Sequence, residues 1–260
     1  MFIRRTTLWN QLSICVFLLF PLVGHAAFEN VGLSARPMGM GGAYAALASD
    51  TSAMIWNPAG LAKLNEPQVG LNYLELYGLV NYSFVAWAHP LQTGRAVGAN
   101  LSSSSDPEGL YQELTLDVSA AQAISDKLHI GMNVKYLSSA ASIGETSVGS
   151  GSGGAVDVGI RYTAGGGQIS VGLALANLLS HIRYHRSALK NAEAKDYSEG
   201  LARESRIGVA MRLDLLSPRL APAMLALELA NGNPVLGIEY ALRSASLRLG
   251  GRLTEGVSRG

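Results

Sequence analysis

Between about residue 68 and residue 253 the chain alternates apolar and other side chains with a period of two. In residues 206–215, Ile207, Val209, Met211, Leu213 and Leu215 share one face, and Arg206, Gly208, Ala210, Arg212 and Asp214 share the other. Successive side chains of an extended strand point to opposite faces, so each such run is a two-faced β-strand. The pattern recurs in residues 129–136, where Ile130, Met132, Val134 and Tyr136 oppose His129, Asn133 and Lys135. It recurs where Val156, Val158, Ile160 and Tyr162 oppose Asp157 and Arg161, and where Leu225, Leu227 and Leu229 oppose Glu228. Residues 169–175 and 246–253 repeat it, giving about eleven segments in all.

The connections between them differ in length along the chain. Residues 92–93, 125–126, 164–167 and 243–244 read as tight turns, and 102–109, 138–153 and 181–203 as long loops. Short turns at one end and long loops at the other describe an outer-membrane β-barrel. Residues 77–79 are short for a loop, and 216–222 long for a turn. Tyr73, Tyr77, Tyr82, Trp87, Tyr111, Tyr136, Tyr162 and Tyr240 fall near segment ends, where an interfacial girdle lies. A soluble sandwich or propeller shares the alternation. The mixed charges interleaved with Gly and Ala on the non-apolar face favour a polar lumen.

The predicted fold is therefore all-β, an antiparallel transmembrane barrel. Arg206, Arg212, Asp214, Glu228, Glu239, Arg248 and Arg252 are predicted to line its lumen. Intramembrane charges face such interiors and pair there. They form either a structural salt-bridge network or a polar conduit whose contacts release a plug. Single-chain bacterial barrels have an even number of strands. Residues 256–260 add no amphipathic strand, so the sequence predicts a C-terminal truncation of about three strands.

Composition agrees with this picture. Charged residues make up 15%, against ~25% in soluble domains, while mean hydropathy is +0.20 and Gly accounts for 30 of 260 residues. A net charge of +1 predicts no nucleic-acid partner. Residues 1–27 read as an export signal: Arg4 and Arg5, an apolar run over 12–23, then Gly24-His25-Ala26 as a cleavage site. That run is short for a membrane span, which needs ~20 residues. Cys15, the single cysteine, falls within the signal, so no disulfide, thiolate nucleophile or cysteine-based metal site is expected in the mature chain. A soluble periplasmic β-protein remains a third reading.

Residues 28–67 do not alternate. Gly39, Gly41 and Gly42 allow close backbone approaches, Asp50 is placed to cap a helix over residues 51–55, and Pro58 ends it. A compact segment of small residues fits inside a barrel as a plug, which leaves residues 68–260 as the barrel. Here Gly39-Met-Gly-Gly-Ala, Asp50 and Trp56-Asn57-Pro58-Ala59-Gly60 resemble the N-terminal signature of the FadL-type hydrophobic-compound transporters. They are similar also to the PorV/PorQ and UPF0164 groups. The resemblance implies a 14-stranded barrel with an inward-folded hatch containing Asn57, Pro58 and Ala59. It implies passage of small hydrophobic molecules through the outer membrane or, in a PorV/PorQ-like role, docking of proteins in type IX secretion. The expected partners are outer-membrane lipid and lipopolysaccharide, with a hydrophobic small molecule or secreted proteins as cargo.

No other motif carries chemistry. Gly149-Ser-Gly-Ser-Gly-Gly154 matches GxGxxG but lacks a following helix. His181 and His185 have a metal-ligand spacing only on a helix, and they sit among Arg183, Arg186 and Lys190 in a basic outer loop. No GxSxG or HExxH is present, and neither His89 nor His129 has an evident nucleophile partner. We therefore expect no catalysis, no metal and no cofactor.

Overall fold

The computed structural model describes residues 28, 34–92, 94–188 and 193–253. The expected signal in 1–27 and the chain after residue 253 lie outside them. Twelve antiparallel strands form one sheet: β1 (Gln68–Leu76), β2 (Val80–Leu91), β3 (Arg95–Ser105), β4 (Tyr111–Ala123), β5 (Leu128–Ile143), β6 (Thr146–Ala164), β7 (Ile169–Arg186), β8 (Lys195–Glu199), β9 (Glu204–Arg212), β10 (Ala223–Ala230), β11 (Asn233–Ala241) and β12 (Ser246–Arg252). Each strand pairs with its sequence neighbour except that β7 pairs with both β9 and the short β8. β1 and β12 are the two ends of this order. Among the described residues, no helix is long and apolar enough to cross a membrane.

The apolar face points outward. Leu101, Leu116, Val134, Val209, Leu227 and Leu236 are each 43–56% exposed, while their strand neighbours Asn100, Asp117, Asn133, Glu228 and Val235 are buried. A sheet that shows its aliphatic side chains and hides its charges is inside out for water and correct for lipid. Tyr73, Trp87, Tyr136, Tyr162 and Tyr240 join the outward face. Tyr82 and Tyr111 do not: Tyr82 lines an interior cavity, and the Tyr111 hydroxyl donates to inward-facing Glu113 (2.9 Å).

Several sequence expectations need correction. Residues 138–153 are no loop: β5 and β6 continue to a two-residue turn at Gly144 and Glu145. The Gly149–Gly154 motif thus lies in β6, paired to β5 and β7. Serine and glycine can form strands once neighbours satisfy their backbone on both sides, and their low β-propensity hid this hairpin. Likewise β3 includes residues 102–105, and β7 runs on through His181 and His185 to Arg186. His185 Nδ1 lies 2.6 Å from Asp196 Oδ1 across the β7–β8 pair. β9 stops at Arg212, so Asp214 occupies a 3-10 turn (Leu213–Leu215) instead of a strand, and a second such turn fills the long connection to β10.

β5, β6 and β7 have 16, 19 and 18 residues, against the 9–11 that a tilted membrane strand needs. At ~3.3 Å per residue, β7 runs on ~30 Å past Ala176, where its pairing with β9 ends, whereas β5 passes the end of β4 by two residues. Toward that end the outward positions of β5 and β6 change from aliphatic to Ser138, Ala140, Ser150 and Ser152.

Residues 34–64 pack on the inner face. They contain α1 (Ala35–Gly39), α2 (Ala53–Trp56) and a 3-10 turn (Pro58–Lys63). Their Met40, Tyr44, Met54 and Leu61 are fully buried against strand residues that are mostly alanine: Ala86, Ala88, Ala96, Ala121, Ala210, Ala226 and Ala230. The division of labour is plain. The inner segment supplies the bulk, and the strands supply the space.

Candidate functional site

The inner segment is seated by glycines of the strands. Gly131 faces Gly159 across β5–β6, Gly172 faces Gly208 across β7–β9, and Gly237 faces Gly250 across β11–β12. A Cβ on Gly131 would fall on Pro58 and Ala59, one on Gly159 on Asn57 and Pro58, one on Gly172 on Ala45, and one on Gly250 on Met40 and Gly41. On the segment's own side, Gly41 has φ +64° and abuts the backbone of Gly250 and Gly251, so it meets both demands that only glycine satisfies. Gly39 lies against the Arg248 side chain, and Gly42 against the Trp56 ring.

Asn57 explains why the Trp56–Ala59 motif is spelled as it is. It is wholly buried and extended at φ −165°. Its Nδ2 donates to the carbonyls of Ala45 (2.8 Å) and Ile160 (3.1 Å), while Oδ1 accepts from Ala59 N (3.2 Å). One amide therefore joins the segment to itself and to β6. Pro58, with no N–H to satisfy, opens the following turn. Asp50 does not cap the helix directly. α2 begins two residues later than expected, behind Ser52, and Asp50 Oδ1 accepts from Ser52 N (2.9 Å) while Oδ2 accepts from the Tyr44 hydroxyl (2.8 Å).

Charged side chains hold the same segment. Arg36 pairs with Glu239 (2.8 Å), which also takes Arg248 (2.7 Å). Glu228 Oε2 accepts the N–H groups of Tyr44 (2.9 Å) and Ala45 (2.8 Å). Arg206 lies 3.5 Å from Glu228, 3.3 Å from Glu204 and over the Trp56 ring at 4.3 Å. Arg161, which sequence reasoning left off the lumen set, donates to Ala48 O (2.6 Å). Thus Arg206, Glu228, Glu239 and Arg248 converge on the segment. Arg212 pairs with Asp214 (2.6 Å) at a half-exposed strand end, and Arg252 is exposed.

Toward the end from which β5–β7 project, a cavity of about 90 Å³ opens above Met54 and Ile55. Its other walls include Phe28, Tyr82, Ser102–Ser104, Glu113, Thr115, Asp117, Lys135, Leu137, Asn177 and Leu201. Behind it runs a polar chain. Lys135 pairs with Asp157 (2.8 Å), Asn100 donates to Asp117, and Asn133 donates to the Met54 carbonyl.

Asn177 connects this cavity to an irregularity in the wall. It has φ +54° at a bulge where β7 slips against β6 between Val156 and Val158. Its N–H donates to Asp157 (2.8 Å), its Oδ1 accepts from Lys135 (3.3 Å) and its Nδ2 donates to Ala202 O (2.9 Å). Past the bulge, residues 177–181 pair with neither β8 nor β9. Instead, Leu201 N donates to the Ser180 hydroxyl (2.8 Å). Side chains thus replace a stretch of backbone ladder. The signal for Asn177 was present, a lone amide inside the apolar run 169–179, but strict alternation passed over it.

No protein-family model and no curated protein matches the chain. Solved structures do, and two of them are a transporter and a channel. The toluene transporter TbuX of Ralstonia pickettii aligns with 87% of this chain and 79% of its own, at TM-score 0.52 and 14% identity. The CymD monoaromatic hydrocarbon channel aligns with 86% and 76%, at TM-score 0.54 and 14% identity. The chain shares the fold of these proteins, an antiparallel β-barrel of the outer-membrane type. Within that fold, the described residues hold no group of three His, Cys, Asp or Glu placed to bind a metal.

Proposed function

We propose that this chain conducts small hydrophobic compounds across the bacterial outer membrane, with residues 34–64 as its hatch. The observation that carries this reading is the cavity lying directly on the hatch at Met54 and Ile55 and reaching the wall irregularity at Asn177. Its surroundings suit such passage, with an apolar band outside, lipid and lipopolysaccharide around it, and an interior in which the hatch is held by separable polar contacts. Similarity of fold to a toluene transporter and a monoaromatic hydrocarbon channel supports the class of cargo. The route runs from the cavity past the hatch or sideways between residues 177–181 and 200–203, where only side chains join the wall. We assign no catalytic role.

The test is uptake of radiolabelled toluene by cells that express the protein, compared with cells that do not. Accelerated uptake, lost when a disulfide between introduced cysteines ties the hatch to β6, supports the reading. Equal uptake by both cell types overturns it.

A second reading is PorV/PorQ-like docking of secreted proteins. What favours it is the projecting β5–β7 blade and the small remaining free volume inside. It predicts that a secreted protein co-purifies with the intact barrel and is lost when residues 138–153 are shortened.

A further inference from the structure

The cavity above the hatch has two unlike walls. Met54, Ile55, Leu137, Leu201, Tyr82 and Phe28 form an apolar one. The other carries three ionisable groups, and two of them are already engaged. Glu113 accepts from Phe28 N and the Tyr111 hydroxyl on Oε1 and from Ser104 on Oε2. Lys135 is held by Asp157 and Asn177. Asp117 is different. It is 3% exposed, its Oδ2 accepts from Asn100, and its Oδ1 has no hydrogen-bond partner. A buried acceptor without a donor is costly, and a carboxylate oxygen more so than a neutral one.

Resting on the passage reading above, we propose that this cavity selects uncharged small molecules that pair an apolar body with one hydroxyl, phenols and alcohols, and that the hydroxyl donates to Asp117 Oδ1. Three features of the site lead to this class. A plain hydrocarbon fills the apolar wall but leaves Oδ1 bare. A carboxylate would meet Glu113 and Asp117 with the sole lining cation already paired. An ammonium would find an acceptor, but it would sit beside the Lys135 ammonium in the same small space. Size also limits the choice. About 90 Å³ is less than the ~150 Å³ of a cavity that takes benzene, so a single ring enters only as flexible Met54 gives way.

The experiment is equilibrium dialysis of the detergent-purified full chain against radiolabelled phenol, toluene, benzoate and benzylamine, with Asp117→Leu and Asp117→Asn alongside. Phenol is expected to bind about 10-fold or more tighter than toluene, the worth of a hydrogen bond to a charged acceptor, and benzoate not at all. Asp117→Leu should abolish that preference while retaining toluene. If this variant loses its heat-dependent gel shift, Asp117→Asn, which keeps an acceptor, should retain only part of the preference. Equal binding of phenol and toluene by the native protein, or a preference that survives Asp117→Leu, overturns the assignment and leaves hydrocarbon passage standing. Tightest binding of benzylamine overturns it in favour of a cation site. Binding of none of the four overturns this inference and the passage reading together.

Discussion

The seat of residues 34–64, the proposed hatch, and the cavity above it lie on one inner face yet are built on opposite principles. At the seat, backbone meets backbone through glycine, and Glu228, Glu239, Asn57 and Arg161 have partners on the segment they hold or beside it. Above it, Lys135, Asp157 and Asn177 satisfy one another, while Asp117 keeps an oxygen free. The first region is filled by the segment itself, although Arg161 Nε and Glu228 Oε1 make no hydrogen bond there, and the second sets an unpaired carboxylate oxygen on a residue that lines open volume. The open volume beside Asp117, rather than burial or an unpaired atom alone, is what distinguishes the second region. Interiors are close-packed and tolerate neither an added methyl nor a lost partner; a site that receives a ligand must break that rule somewhere.

Gly159→Val should be the most damaging change. Its side chain would occupy the position of Asn57 Oδ1 and Pro58, in a region with no room to relax. We expect no heat-modifiable band on a gel and rapid proteolysis of the expelled segment. Gly251→Ala, on β12 with nothing within 4 Å of the added Cβ, should fold like the native protein. If both variants fold alike, the tight seat is not a determinant of the fold.

Glu228→Ala comes next. It removes the acceptor of two buried N–H groups and the partner of Arg206. Breaking a buried pair from one side costs ~3–5 kcal/mol, which should appear as a lower midpoint for urea unfolding in lipid vesicles. Asn177→Ala is expected to cost less, ~1–3 kcal/mol for the side-chain bonds lost at a buried amide. It should also loosen the wall where the ladder is missing. Hydrogen exchange should quicken at Leu201 and leave Ala210, on the well-paired β9, unchanged; uniform protection would remove the wall from the proposed route.

Much of the fold was legible because lipid enforces a period of two over long stretches, and β10 and β12 were read almost to their ends. Legibility failed where that constraint lapses. Residues 138–153 lie beyond the apolar band, so Ser and Gly there carry no alternation and read as loop. Of the predicted lumen charges, four reach the hatch. Arg161 was overlooked although it alternates with Ile160 and Tyr162, since no feature of the sequence tells which inward charge meets the hatch backbone. Asn177 escaped for a related reason: a bulge resets the register, and the period-two pattern by itself does not locate it.

Arg212 provides the mildest test, and it marks where the seat ends. By alternation it shares the inward face of β9 with Arg206, yet its side chain is 44% exposed and its partner Asp214 sits on the turn that follows. Arg206 instead is 7% exposed and lies over Trp56 between two carboxylates. The same residue type on the same face thus meets water in one case and the hatch in the other. Exposed ion pairs contribute ~0–1 kcal/mol and are screened by salt. Arg212→Ala should therefore shift the unfolding midpoint by no more than this, and the shift should vanish in 1 M salt. Arg206→Ala should destabilise by several times as much at either salt concentration. Equal losses for the two arginines would mean that the hatch contacts add nothing beyond an ordinary surface pair.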